Sequence, residues 1–136
     1  LRLIPNLDVW RPSDGMETSM AWAAALERSN GPTAILLTRQ NVPYASREKP
    51  EQIRLGGYVL SDAPGAKAVL IATGSEVQLA LHAQQALAKS GIAVSVVSMP
   101  STSVFDRQSV AYKTSVLPKG VPRIAVEVGV TDGWGK

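Results

Sequence analysis

Arg39 ends the aliphatic run Ala34-Ile35-Leu36-Leu37-Thr38 and is followed at once by Gln40-Asn41. A guanidinium is a rigid fork of five donors, matched to phosphate or carboxylate. The run is short and bracketed by Gly31-Pro32 and Pro43. Such a run is expected to form a buried strand of a parallel sheet, sealed on both faces. Open α/β sheets bind ligands beyond the carboxyl ends of their strands, so Arg39 is a candidate anion contact. A surface arginine at a strand end is the plainer reading of the same residue.

The other chemically able residues have bland explanations close at hand. Asp14 and Glu17 are spaced as N-cap and N3 of a helix, so capping is the better account than acid–base work. Gly74-Ser75 follows an apolar run and opens a helix, a setting that can hold an anion. Ser75 with Gln78 also reads as a capping box, and neither a P-loop nor a Gly-x-Gly-x-x-Gly pattern is present. Gly129, Gly133 and Gly135 miss the dinucleotide spacing as well. His82 is the only histidine. It lies opposite the apolar face of its helix, and one histidine makes no metal site. Glu127, near the end of a strand, is as well explained by pairing with a cation as by function. Trp10, Trp22 and Trp134 are expected to pack. No serine has the strand–turn–helix Gly-x-Ser-x-Gly setting. The residues thus offer one anion candidate, no catalytic set and no metal set.

The elements that must position Arg39 follow from pattern. Val9-Trp10-Arg11, stopped by Pro12, is a short apolar-led stretch. Asp14 then caps a helix whose spacing of Met16, Met20, Ala23 and Ala24, with Trp22, runs to Leu26. Ser29 to Pro32 end it, and a strand over 33–38 completes a strand–helix–strand unit. Residues 42–56 are polar, hold two prolines and lack a period, as expected of a linker crossing a surface. A second unit begins at Gly57. Strands are expected at 58–60, 68–73, 93–99 and 123–128. Helices are expected from Ser75 to Ser90, over 101–106 as a turn, and over 108–117. The helix from Ser75 buries Val77, Ala80, Leu81, Gln84 and Leu87. Alternation of this kind specifies an α/β protein. The expected fold is the end of one doubly wound parallel sheet, a linker, then a second mostly parallel sheet. Residues 131–136 read as a loop entering a helix, and Leu1 is not a methionine, so both units are expected to be incomplete.

The 136 residues are 45% hydrophobic with a net charge of +3, as for an ordinary core-forming domain. No apolar run of about 18 residues exists that would suggest a membrane span. The first residues do not make a signal peptide. Basic residues are scattered and aromatics are 5%, which argues against a nucleic-acid surface. Cysteine is absent, so disulfides and thiolate chemistry are excluded and the cytosol is allowed.

Several segments together resemble transketolase. They are Val9-Trp10-Arg11-Pro12-Ser13-Asp14-Gly15-Met16-Glu17, residues Gly31 to Asn41, Ile71-Ala72-Thr73-Gly74-Ser75-Glu76-Val77, Val97-Ser98-Met99-Pro100-Ser101 and Val126-Glu127-Val128-Gly129-Val130. They span nearly the whole chain in order. The resemblance implies a cytoplasmic homodimer that uses thiamine diphosphate and a divalent cation (Mg or Ca). It implies transfer of a two-carbon ketol unit from a ketose phosphate to an aldose phosphate in the pentose phosphate pathway. Residues 1–41 resemble the end of the pyrimidine-binding domain, 42–56 a linker, and 57–136 most of the C-terminal domain. Arg39, in its Thr-Arg-Gln-Asn context, matches the family arginine that binds the substrate phosphate. The family's cation ligands, its activating glutamate and its proton-handling histidines are not in these residues. The chain is therefore expected to carry no catalytic, cofactor-binding or metal residue, to bind no cofactor alone and to be inactive alone. Sugar phosphates are the expected partners, with no nucleic acid and no membrane. The C-terminal unit is expected to support the dimer, with a regulatory ligand site at Gly74-Ser75 as a secondary expectation. The rival reading is a self-standing doubly wound module that binds a nucleotide or sugar phosphate without catalysis.

Overall fold

The computed structural model describes residues 1–129 and Trp134. The loop expected over 131–136, with Gly133 and Gly135, lies outside the described residues apart from Trp134. Two open sheets organise the rest. The first pairs β1 (Asp8–Trp10) with β2 (Thr33–Ile35) in parallel, joined by α1 (Gly15–Glu27). The second contains β3 (Tyr58–Ser61), β4 (Ala68–Ala72), β5 (Val94–Ser98) and β6 (Arg123–Val126) in the order β3-β5-β4-β6. Only β3 runs antiparallel, at an edge.

Helices cover both faces of the second sheet. α2 (Glu76–Lys89) lays Val77 and Ala80 on Leu70, Ala72, Val94 and Val96. α3 (Thr102–Asp106) and α4 (Val110–Val116) lay Phe105 and Val116 on Val69, Ile71, Val97 and Met99. Odd and even positions of β4 thus serve opposite faces, as the two-residue period of a strand buried on both sides requires. A third cluster joins the two units: Trp10 and Ala21 pack with Ile53 and Tyr58.

Local signals fixed α1. Asp14 Oδ1 accepts from the Glu17 N–H at 3.0 Å, as a cap should. The reciprocal bond is shifted by one residue, since Glu17 Oε2 accepts from the Ser13 N–H at 2.6 Å. Four expectations need correction. The strand expected over 33–38 stops at Ile35, and it is not sealed: Leu36 is 37% and Leu37 57% exposed. Its sheet has two strands among the described residues: β1 is buried against α3 and the cluster of Ile53 and Tyr58, whereas β2 is only half-buried. Trp22 does not pack but is 53% exposed. The capping box at Ser75 does not form: Ser75 already has helical backbone (φ −61°, ψ −22°) and its hydroxyl faces Glu76 Oε1 at 3.4 Å. A cap needs an extended residue to aim its oxygen at the first turn. The stretch 42–56, finally, is not only a surface crossing without structure, although most of its residues are exposed or half-buried. It contains a 3-10 helix over Pro50–Leu55 and inserts Ala45, Arg47 and Ile53 into the interior.

Candidate substrate-anion site

Two arginines mark the carboxyl end of the β1–β2 pair. The strands are in register with Trp10 beside Ile35, and the Leu36 N–H donates to Trp10 O at 2.8 Å. The chain then turns, with Thr38 Oγ1 accepting from the Gln40 N–H at 3.0 Å. Arg39 sits in this turn, exposed, and has no hydrogen-bond or ion-pair partner among the described residues. Every other arginine is engaged. Arg2 and Arg11 hold Glu127, Arg28 and Arg107 hold Asp8, Arg47 holds Asp14, Arg54 holds Glu27, and Arg123 bonds the Leu117 carbonyl. Among the described residues, Arg39 is thus the one arginine whose guanidinium has no partner, in the turn that follows β2. A cleft of about 340 Å³ begins next to it, lined by Gln40, Asn41, Pro43, Ser75, Gln78 and His82.

The buried acids are all occupied within the chain. Glu17 is fully buried and accepts from Tyr58 Oη at 2.7 Å and Ser98 Oγ at 2.6 Å. Asp14 accepts from the Ala45 N–H and from Arg47 Nη1, at 3.1 and 2.7 Å. Burial alone would raise the Asp14 carboxyl; Arg47 and the Glu17 and Ala45 N–H groups outweigh it and lower it. Burial and the Glu17 charge push the Tyr58 phenol up. Asp14 and Glu17 are therefore more than caps: they seal the 42–56 stretch and the second unit onto α1. Sequence reasoning missed Arg47, whose partner Asp14 lies 33 residues away. Its only signal is a lone arginine ahead of a proline in a polar stretch.

Glu127 lies just past β6, which ends at Val126. It pairs with cations, Arg2 at 2.8 Å and Arg11 at 2.6 Å. Burial would raise its carboxyl; the Gly129 N–H, Arg2 and Arg11 prevail and hold it at about 2. The first turn of α2 shows an anion the buried carboxylate of Glu76 and not bare N–H groups. His82 is exposed, on the side of α2 away from the core. The described residues do not fit a diphosphate and its cation. No three His, Cys, Asp or Glu side chains among them are grouped to hold a metal ion, and Asp14, Glu17 and Glu127 each already have internal donors. No helix among the described residues is long and apolar enough to cross a membrane.

Residues 56–136 match the transketolase-like C-terminal domain and residues 1–45 the transketolase pyrimidine-binding domain. The plasmid transketolase of Cupriavidus necator is 54% identical over 136 residues, covering 98% of this chain and 20% of that protein. A transketolase from Pichia stipitis, solved in complex with sedoheptulose 7-phosphate, superposes with a TM-score of 0.94 at 47% identity. That match covers 98% of this chain and 20% of the other. A split-gene transketolase solved as an inactive β4 tetramer superposes at 0.69 and 29% identity, over 95% of this chain and 50% of its own. The chain thus spans about a fifth of the length of the curated relatives it matches. With two transketolase domain models matching in order and the solved fold reproduced, the chain belongs to the transketolase family.

Proposed function

We propose that this chain serves as part of a transketolase. That enzyme moves a two-carbon ketol unit from a ketose phosphate to an aldose phosphate, in the pentose phosphate pathway. It works as a cytoplasmic homodimer with thiamine diphosphate and a divalent cation. Residues 1–41 act as the end of the pyrimidine-binding domain, 42–56 as the connector and 57–136 as the C-terminal domain. The cofactor supplies the carbon–carbon chemistry; this chain supplies a substrate contact and the scaffold around it.

The observation that carries the reading is the unpaired, exposed guanidinium of Arg39 at the β2 exit. A fork free of internal carboxylates can take two oxygens of a terminal phosphate and fix the far end of the sugar. The described residues hold no second group for the chemistry, and ketol transfer by the purified chain is expected to be absent. In the complete polypeptide, Arg39→Ala removes a charge-assisted contact of about 1.5–3 kcal/mol, or roughly 10- to 100-fold in kcat/KM on phosphorylated substrates. A non-phosphorylated ketol donor should lose little. Equal losses on both kinds of donor would make Arg39 a structural residue.

A further inference from the structure

The second sheet has a ligand crevice, and this chain fills it itself. β4 passes to β5 through α2 on one face; β5 passes to β6 through α3 and α4 on the other. The connections part at β4, so the crevice beyond the carboxyl ends of β4 and β6 is where such a sheet takes a ligand. Arg11, leaving β1, occupies it. Its N–H donates to Pro100 O at 2.7 Å, and its carbonyl accepts from the Gly74 N–H at 2.9 Å and Thr73 Oγ1 at 3.3 Å. Its Nη1 donates to Glu127 Oε1 at 2.6 Å, beyond β6, and its Nη2 to Glu76 Oε2 at 3.0 Å, beyond β4. Both carboxylates are buried. Gly74, at φ +60°, takes without strain the left-handed turn that lets the backbone meet Arg11.

We propose that Arg11 is a positioning residue for Arg39: its guanidinium, seated between Glu76 and Glu127, fixes the β1–β2 pair and the turn beyond it against the second unit. This rests on the reading of Arg39 as the phosphate contact. The link is short and covalent in part. Arg11 follows Trp10, whose carbonyl holds Leu36, and Arg39 is three residues further on. Past Arg39 the chain returns to the second unit, where Gln78 Nε2 reaches Pro43 O at 3.4 Å. Asp8, at the start of β1, is also tied to the second unit, by Arg107 at 2.7 and 2.8 Å. At the end of β1 nearer Arg39, the turn is held by Arg11 on one side and by the Gln78–Pro43 contact on the other. Glu127 carries a second cation, Arg2, so the first residues of the chain are drawn into the same socket. The crevice works as a docking socket, not as a regulatory site for a free ligand at Gly74-Ser75.

The test is steady-state kinetics of the complete, cofactor-loaded enzyme carrying Arg11→Ala, with Arg39→Ala alongside. Loosening the turn should raise KM for phosphorylated substrates about tenfold, leaving kcat within about twofold and a non-phosphorylated donor unaffected. Millimolar methylguanidinium should restore much of the lost affinity, and the same concentration of sodium chloride should not. Equal losses on both donors, no loss at all, or no rescue overturns the inference. Should Arg11→Ala fail to fold, Glu127→Gln and Glu76→Gln keep side-chain size and remove one charge. Each should raise the same KM about threefold, and an unchanged KM in both overturns the inference. Arg39→Ala separates the two ideas. If it spares phosphorylated substrates, the anchor reading falls and this inference with it. If it harms them and the Arg11 and glutamate variants do not, only the positioning inference falls.

Discussion

Replacing Arg47 by methionine tests how the two units are held together. Methionine keeps most of the stem's volume and removes the fork. Arg47 and Asp14 are each 2% exposed as side chains, and Nη1 lies 2.7 Å from Asp14 Oδ2. The same arginine donates from Nε to Tyr58 Oη at 2.6 Å and from Nη1 to Ala45 O at 2.5 Å. The variant thus takes the cation away from two buried carboxylates, Asp14 and Glu17, and the Nη1 donor from one buried carbonyl. Breaking a buried pair by removing one partner costs about 3–5 kcal/mol. Asp14 keeps the Glu17 and Ala45 N–H groups, which places the loss near the lower end, about 3 kcal/mol. For a chain of this length that is roughly 10 °C in Tm. Urea and thermal unfolding followed by tryptophan fluorescence would read it, since Trp10 is buried where the two units meet. The double variant R47M/D14N removes both charges and should cost at least about 1 kcal/mol less than the sum of the singles. A loss under about 1 kcal/mol for R47M, or additivity within about 0.5 kcal/mol, would refute the view that this buried pair locks the connector to α1.

Acid should loosen the Arg2–Glu127–Arg11 cluster. Glu127 is lowered from 4.5 to about 2 on folding, so its stabilisation is present above about pH 4.5 and is lost as pH falls toward 2. That interval is worth roughly 3 kcal/mol at full strength, but Arg2 and Arg11 are each about a quarter exposed, and screening reduces it to about 1–2 kcal/mol. Glu127→Gln should flatten this part of the pH–stability curve, and an unchanged slope between pH 4.5 and 2 would contradict the pairing. Ser75→Ala should change stability by less than about 0.5 kcal/mol, because no cap bond exists to lose. A loss near 1 kcal/mol in urea unfolding would show that the cap forms in solution.

What could be read from the sequence was local. The Asp14 cap, the strands 68–72 and 94–98 with their stopping Pro100, and the apolar face of α2 each depend on neighbours within a turn or a strand. What could not be read depended on partners far along the chain. Nothing near Arg47 announces Asp14, and nothing near Arg11 announces Glu127, 116 residues on. The run 33–38 has strand composition along its length, but only three of its residues find a partner strand, so its last residues are exposed. Ser75 and Gln78 have the spacing of a capping box. The left-handed Gly74 and helical Ser75 turn the hydroxyl elsewhere, and Gln78 reaches across to Pro43. For the site, Arg39 was expected directly at a strand end, but it lies in the turn that follows β2. Its distinction as the unpaired arginine appeared only once the partners of all the others were known.

Under the proposed function, Arg39 meets a substrate phosphate. A crystal structure of the complete polypeptide with cofactor and a ketose phosphate measures this directly. Phosphate oxygens are expected about 2.7–2.9 Å from the Arg39 guanidinium nitrogens, in a two-point contact. A bound ketose phosphate whose phosphate lies elsewhere, with Arg39 still facing solvent, would contradict it.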